Sequence, residues 1–236
     1  MAKLEQIKKG FEELRELKKK PQKIAIDAAT VYNYEREKIR VNSDLSTTGK
    51  DAKYSKLQKD IAWALMKEYS EVQKKVSSLQ DKLIKQAQAV ILEPVKEPDA
   101  YTTLMFNREY EQFKSDIALA PNGTIADRKI KDFFNKVDDP FFAQQIKSEL
   151  SSLTNTMLSV GADKGIVSSA VDKLNSKTLT SEHKEAMEML ESVESSKKSE
   201  LLLTDGMHHT HIKNVIGLVA SKYVNKPDEY LSTYAD

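Results

Sequence analysis

Apolar residues recur along much of this chain with the period of an amphipathic helix. The clearest stretch is residues 50–92, since neither Gly nor Pro occurs between Gly49 and Pro94. Its apolar residues follow one another by three, four or seven positions: Leu65, Tyr69, Val72, Val76, Leu79, Leu83 and Val90. That spacing is typical of a helix that packs on a partner. It predicts one long helix, about 60 Å in length, with an interaction seam along these seven side chains.

Two helices are predicted before it. Residues 2–20 place Leu4, Ile7 and Phe11 on one face, and Pro21 is expected to end that helix. Residues 24–41 form the second, although alternation near its start also allows a short strand.

The long helix has a candidate start signal at Thr48. Thr48 and Asp51 have the spacing of a capping box, in which each side chain bonds the backbone of the other. Gly49-Lys50 also invites comparison with a phosphate-binding loop. That reading fails because Asp44 stands where the motif needs its first Gly, and Asp51 where it needs Ser or Thr.

Pro94 and Pro98 mark the predicted joint between two regions. We expect a basic helical, coiled-coil region over residues 1–93, a linker over 94–98 and an acidic helical bundle over 99–236. Six of the seven Phe lie within residues 106–142, which predicts a compact aromatic core there.

Signals for shorter helices follow the joint. Helix starts are predicted at Thr124, a cap assisted by Asp127, at Asp139-Pro140, and at Thr180 or Ser181. Gly161 is expected to end a helix, and Thr204-Asp205-Gly206 to form a turn. The last firm helix is predicted over 211–224, with Val219 among its apolar positions.

Composition supports an all-α chain. Only 39% of residues are hydrophobic and 31% are charged, with seven Gly and six Pro. Cysteine is absent, which excludes disulfides and thiolate chemistry. No stretch reads as a signal peptide or a membrane span. These features predict a soluble protein that makes no membrane contact.

Charge divides the chain in two. Residues 1–92 contain 20 Lys and Arg against 13 Asp and Glu, a net +7, and residues 93–236 contain 17 against 23, a net −6. The asymmetry suggests different surroundings for the two halves or head-to-tail contact between copies. Chance variation on solvated helix faces explains it equally well.

Candidate chemistry is sparse. His208 and His211 are one helical turn apart and could face one metal ion, with Asp205 or His183 as a third ligand. Exposed imidazoles at a polar helix start are the alternative. No nucleophile elbow or Gly-rich cofactor fingerprint occurs, so we predict no enzyme activity and no cofactor.

Basic residues in the first half raise a second hypothesis. Cations at Lys18, Lys19, Lys20, Lys23, Arg36 and Arg40 could contact phosphates, with Tyr32 and Tyr34 available for stacking. Acidic residues are interleaved among them, so nonspecific binding to nucleic acid is the form that this alternative takes.

A family resemblance emerges from residues 44–92. The cap over Asp44–Lys50, the long helix after it and the Pro-jointed series of short helices resemble small tailed-phage virion or capsid-assembly proteins, with a weaker likeness over 101–158. The resemblance implies a scaffolding, head-decoration or connector role, and a location in the cytoplasm of a bacterial host or in a virion. We therefore expect a non-enzymatic structural or assembly protein that packs helices with itself or with a shell or connector protein.

Overall fold

The structure is a computed structural model that describes residues 2–200, 202 and 207–234. All of the regular secondary structure in this part of the chain is helical, which confirms the all-α prediction. The helices are α1 (Ala2–Val41), α2 (Thr47–Ile91), α3 (Ala100–Ala118), α4 (Gly123–Lys136), α5 (Pro140–Ser159), α6 (Lys164–Lys177), α7 (Ser181–Lys197), α8 (Met207–Ser221) and α9 (Pro227–Thr233). The turn predicted at 204–206 lies outside the described residues.

The helices form two compact units. Unit 1 comprises Met1–Gln88 together with Glu188–Asp236, and unit 2 comprises Ala89–Met187. This division differs from the predicted regions 1–93 and 99–236. The first boundary falls close to the predicted joint, but residues 188–236 belong with the first unit, because apolar side chains of α8 and α9 share a core with α1 and α2.

In unit 1, α1 and α2 run antiparallel. Contacts pair early positions of α1 with late positions of α2: Gly10 lies against Leu83, Pro21 accepts a hydrogen bond from Tyr69 at 3.0 Å, Gln58 donates to Tyr32 at 3.5 Å, and Lys50 Nζ donates to the Arg40 carbonyl at 2.8 Å. As the residue number rises along α1, the number of its contacting residue on α2 falls, as expected for antiparallel helices.

Pro21 lies inside α1 and does not end it, so the predicted break was wrong. A proline inside a helix removes one backbone bond and disfavours the preceding turn. Here Pro21 is buried, with Leu14 and Leu17 before it and Ala25 and Tyr32 after it also buried. Tertiary packing on both sides holds the helix together across the defect.

The start of α2 also differs from its prediction. Ser46 Oγ accepts from the Gly49 backbone N–H at 3.1 Å, so the capping side chain is Ser46 and not Thr48. The helix therefore begins at Thr47, a few residues earlier than the pattern suggested.

The C-terminal segment closes unit 1 through polar contacts as well as apolar ones. Leu202 and Asn225 exchange two hydrogen bonds of 2.9 Å, and Asp228 of α9 accepts from Ser70 and from Lys74. The shared core is Ala25, Tyr32, Ile61, Ala62, Leu65, Met66, Tyr69, Leu202, Ile212, Val215, Ile216, Ala220, Val224 and Tyr230.

Unit 2 packs α3 to α6 around an aromatic core. Phe106 stacks on Phe142 with ring centroids 3.9 Å apart, and Phe113 stacks on Phe133 at 4.1 Å. The predicted aromatic core is thus present, and its buried residues include Tyr110, Ile117, Ile130, Phe134, Ile146, Met157 and Leu174.

Local signals define the helix ends in unit 2. Asp139 caps α5 with Pro140 in its first turn, and Thr180 Oγ1 accepts from the His183 N–H at 3.2 Å, both as predicted. Gly161 ends α5 at a φ of 82°, where the Ala162 N–H reaches back to the Met157 carbonyl. The predicted Thr124 cap was wrong, because Asn122 caps α4.

Asp127, the predicted helper of Thr124, instead accepts from the Asp163 backbone N–H at 2.9 Å. Its carboxylate therefore joins α4 to the start of α6.

Candidate interaction groove

Helix α8 is interrupted at Gly217. The backbone there has φ 83° and ψ 166°, a conformation that is essentially confined to glycine. A Cβ at this position would meet nothing within 4 Å, so the backbone conformation and not lack of space requires glycine. Helical spacing does not continue across this point. Val219, an apolar position of the predicted last helix, is therefore 57% exposed, as is Leu218.

A cavity of about 1040 Å³ lies beside the interruption. We call it the α2–α8 groove. It is lined by Ser55, Gln58, Lys59, Asp60, Ala62 and Trp63 of α2, by Ile216 to Ala220 of α8, and by Tyr230, Thr233 and Tyr234 at the C-terminal end.

Part of the groove lining is apolar. Ala62, Ile216, Ala220 and Tyr230 are buried in the core of unit 1, and Trp63 packs against that core while remaining partly exposed. Leu218 and Val219 add exposed aliphatic surface, and Tyr234 is 42% exposed. Large apolar side chains held at a surface in this way are characteristic of binding sites.

Tyrosines form one end of the groove. The ring centroids of Tyr230 and Tyr234 are 4.7 Å apart, and Tyr223 lies 5.8 Å from Tyr230 and 6.2 Å from Tyr234. Burial raises the pKa of Tyr230, and the neighbouring Tyr234 hydroxyl adds to the effect. Packed rings present a rigid apolar surface at little cost in side-chain entropy.

Lysines predominate around the groove. Lys59 and Asp60 line it directly, and Lys67 Nζ lies 5.5 Å from the centroid of the Trp63 ring. From Thr47 to Lys67, α2 carries five Lys and two Asp, and α8 carries Lys213 and no acid. The Asp228 and Glu229 carboxylates of α9 are engaged by Lys74 and Lys226. These segments of α2 and α8 therefore carry more Lys than Asp, while the lining itself holds one of each, Lys59 and Asp60.

The predicted interaction seam lies inside the fold. Leu65, Tyr69, Val72, Val76, Leu83 and Val90 are buried, and Leu79 is half-buried. In unit 1 their neighbours include α1 of the same chain, as the contact of Leu83 with Gly10 shows. Six of the seven side chains of the seam are therefore covered within the chain, and α1 supplies part of that cover at Leu83 and Tyr69.

The predicted basic contacts do not form one patch. Lys18 Nζ donates to the Ser196 carbonyl and to Ser199 Oγ, both at 3.1 Å, and burial lowers its pKa. Lys19 pairs with Glu16 at 2.5 Å, and Arg40 with Glu37 at 2.6 Å.

The other three basic residues are similarly dispersed. Lys20 and Lys23 share a cleft with Asp27, Glu68 and Glu71, and Arg36 is exposed. Acidic side chains therefore accompany most of the cations that the sequence singled out.

The described histidine side chains have different surroundings. The side chain of His208 and the whole of Asp205 lie outside the described residues, and His211 is exposed. His209 Nε2 lies 3.2 Å from the Ser221 carbonyl oxygen. His183 is buried, with Nδ1 2.8 Å from Thr180 Oγ1 and Nε2 3.0 Å from the Glu93 carbonyl oxygen. In the described ranges, no three His, Asp or Glu residues are grouped as metal ligands.

Sequence reasoning missed the groove. The heptad pattern does not include Trp63, and the apolar spacing predicts that Val219 belongs to a continuous helix face. The available signal was Gly217, an isolated glycine within an apolar helical pattern, which can mark an interruption. The contribution of α9 had no local signal, since it depends on contacts between residues far apart in the chain.

Within the described ranges, no helix has the length and apolar character needed to cross a bilayer. No protein-family model, curated protein or solved structure matches the chain.

Proposed function

We propose that this chain is a non-enzymatic structural or assembly protein that packs through helices with itself or with a protein partner, and that the α2–α8 groove is the packing surface. The observation that carries the proposal is the exposure of Leu218 and Val219 beside Trp63 in the lining of one cavity.

Covering the exposed apolar side chains of the groove would contribute to the free energy of binding. Covering a large apolar side chain contributes about 1.5–3 kcal/mol relative to leaving it in water. Trp63 packs against the core of unit 1, and the backbone that carries Leu218 and Val219 lies between the buried core residues Ile216 and Ala220. A partner that covers these side chains therefore has little backbone to order. An amphipathic helix seated in a hydrophobic groove is a common mode of protein recognition.

Within this class we assign a tailed-phage virion or head-assembly component, located in the bacterial cytoplasm or in the virion. The resemblance of residues 44–92 supports that assignment. The long α1–α2 hairpin is compatible with a spacer that presents a binding surface.

Association with nucleic acid is the second candidate. The observation that favours it is Lys67 over the ring of Trp63, which lines the groove, since single-stranded nucleic acids bind through cations and aromatic stacking. Binding of that kind weakens steeply as salt rises. Electrophoretic shifts of a single-stranded oligonucleotide at low and moderate salt distinguish it from protein binding.

Photo-crosslinking in the cells that naturally produce the chain tests the main proposal. A photoreactive amino acid at Val219, 57% exposed, is compared with one at Val41, which is 63% exposed and lies outside the groove. We expect a covalent adduct with a polypeptide at position 219 in clear excess over position 41. Equal yields at the two positions, or nucleic acid as the main adduct, would contradict the proposal.

A further inference from the structure

We propose that Asn122 is a site of spontaneous modification, at which the chain converts its own asparagine to aspartate and isoaspartate and releases ammonia. Asn122-Gly123 is the one Asn-Gly pair in the sequence, and it lies between α3 and α4 in unit 2. The pair shares no residue with the α2–α8 groove, so its test is separate from that of the proposed function.

The reaction needs only two neighbouring residues and water. The backbone nitrogen of Gly123 loses its proton and bonds to the side-chain carbonyl carbon (Cγ) of Asn122, and the side-chain nitrogen (Nδ2) takes up a proton and leaves as ammonia. Water then opens the five-membered imide. Breaking the new bond gives aspartate, whereas breaking the original peptide bond gives isoaspartate, in which the backbone continues through the side chain. One amide and one water thus become one carboxylate and one ammonium ion.

The structure leaves the reacting groups accessible. Asn122 is exposed, and its backbone is extended, with φ −164° and ψ 166°. Gly123 is the first residue of α4, so its N–H has no acceptor within the helix. Among the described residues, no other acceptor takes this N–H either, so no hydrogen bond must break when the nitrogen loses its proton. Gly123 also has no side chain to hinder the approach of Cγ.

One hydrogen bond opposes the reaction. Asn122 Oδ1 accepts from the Ile125 N–H at 3.0 Å, and the side chain must leave this bond before Cγ reaches the Gly123 nitrogen. A single N-cap is a moderate constraint, so we expect it to slow the conversion roughly five-fold relative to the unfolded chain and not to prevent it.

Other asparagines are less favourably placed. Asn155 and Asn175 are also exposed, but each lies inside a helix, where the N–H of the next residue is bonded to the preceding turn. Asn42 lies directly after α1, and its Oδ1 accepts a backbone N–H from two residues further on at 2.8 Å. It resembles Asn122 in that local bond, but Ser43 takes the place of glycine. Asn42 is therefore the matched control within the same molecule.

The two products should affect α4 in opposite ways. Conversion of Asn122 to aspartate keeps a capping side chain, and the added negative charge is favourable at a helix N-terminus. Isoaspartate instead adds a methylene group to the backbone next to Gly123, where a Cβ would already lie 2.0 Å from the Gly161 carbonyl oxygen. Aspartate caps already begin three other helices of unit 2, namely Asp99 for α3, Asp139 for α5 and Asp163 for α6.

Peptide mapping by mass spectrometry during long incubation of the full chain tests the assignment. In the folded protein, Asn122 should convert at least about ten-fold faster than Asn42, because glycine offers no steric hindrance. The rate should rise with pH, since the Gly123 nitrogen must lose its proton. An isoaspartyl methyltransferase with a labelled methyl donor identifies the isoaspartate, and the same incubation in denaturant measures how far the cap slows the reaction.

Two variants complete the test. Asn122→Ser keeps a capping side chain and should abolish the fast release of ammonia. Asn122→Asp should unfold at the same denaturant concentration as the fresh wild type or above it, whereas the fraction of aged wild type that contains isoaspartate should lose ellipticity at a lower concentration.

Two results would overturn the inference. One is conversion of Asn122 in the folded chain no faster than that of Asn42, with rapid conversion in denaturant only, because the fold would then protect the site. The other is release of ammonia that Asn122→Ser leaves unchanged, because the reaction would then occur elsewhere in the chain.

Discussion

Both units are helical, but local caps define the helices of unit 2, whereas contacts between distant parts of the chain hold unit 1 together. In unit 2, side chains next to the helix ends define α3 to α6, as Asp99, Asn122, Asp139 and Asp163 each accept a backbone N–H of the first turn. In unit 1, two long helices join segments from both ends of the chain, and one of them continues through a proline.

The difference concerns the range of the interactions. A cap is a contact between residues two or three apart, so it can be read directly from sequence. The contacts that hold unit 1 join residues such as Pro21 and Tyr69, or Ser70 and Asp228, which are far apart in the chain. The two units should therefore respond differently to substitutions. Trp63, the single tryptophan, reports on unit 1 alone.

The largest effect is expected where Leu83 of α2 packs against Gly10 of α1. Leu83 is 1% exposed, and a Cβ on Gly10 would lie 2.6 Å from its Cδ2. Leu83→Ala should lower the free energy of unfolding of unit 1 by about 4 kcal/mol, because it leaves a cavity in a packed interface. Denaturant titration followed by Trp63 fluorescence measures the loss.

Gly10→Ala provides a test of the same contact. Alone, it should cost about 1 kcal/mol through overpacking against Leu83. Combined with Leu83→Ala it should cost less than the sum of the two, since the added methyl group partly refills the cavity. Strict additivity would show that the two helices do not meet at these residues.

Gly123→Ala should produce the next largest loss, confined to unit 2. A Cβ at Gly123 would lie 2.0 Å from the Gly161 carbonyl oxygen, a backbone atom at the end of α5 that cannot rotate away. We expect a cost of about 3 kcal/mol. Part of the far-UV ellipticity should melt earlier, while the Trp63 fluorescence transition stays in place.

Gly49→Ala is the control for this substitution. Its Cβ would lie 3.3 Å from the Ser46 hydroxyl and 3.7 Å from Leu45 Cδ2, both side-chain atoms, so the change should be about 0.5 kcal/mol or less. If Gly123→Ala shifted the Trp63 transition as strongly as the ellipticity, the separate responses of the units would be disproved.

Tyr69→Phe should have an intermediate effect on unit 1. Tyr69 is 0% exposed and its hydroxyl donates to the Pro21 carbonyl at 3.0 Å. Losing that donor should cost about 1.5 kcal/mol, since the bond is buried. Tyr110→Phe in unit 2 should cost less, because its hydroxyl reaches the half-exposed Glu149 carboxylate at 3.3 Å.

Alkaline pH tests the same tyrosine. Burial raises the pKa of Tyr69 in the folded state. As pH rises past the ordinary tyrosine value of about 10, the unfolded chain loses the proton first, so the stability of unit 1 falls. Tyr69→Phe should reduce that fall, as measured by Trp63 fluorescence in denaturant at several pH values. An unchanged pH profile would show that Tyr69 ionises freely in the fold.

The smallest effect distinguishes the two candidate capping residues at the start of α2, Ser46 and Thr48. Ser46→Ala removes the observed cap and should cost about 1 kcal/mol. Thr48→Ala removes only the cap that the sequence suggested, and should change the free energy of unfolding of unit 1 much less. The opposite order in a thermal melt would restore the capping box of Thr48 and Asp51.

The sequence predicted the all-α class, the aromatic core of unit 2 and most of its helix ends, because helical spacing and caps are local signals. The heptad on α2 predicted a packing face but could not say that α1 of the same chain covers Leu83. The sequence predicts a helix end at Pro21, because the packing that holds α1 together across this proline is visible only in the fold.

The groove was least accessible to sequence reasoning. Its surface depends on a glycine conformation at Gly217 and on α9 reaching α2 through Asp228. Neither depends on a periodic pattern.

The order of segments in unit 1 has a consequence for biosynthesis. A ribosome releases α1 and α2 first, then all of unit 2, and only afterwards the residues of α8 and α9 that complete the first core. The nascent α1–α2 hairpin must therefore keep Ile61, Leu65 and Tyr69 without their final cover while a whole second unit is synthesised. Unit 2, contiguous in the chain, can fold during that interval, so it is the hairpin that we expect molecular chaperones to bind during translation.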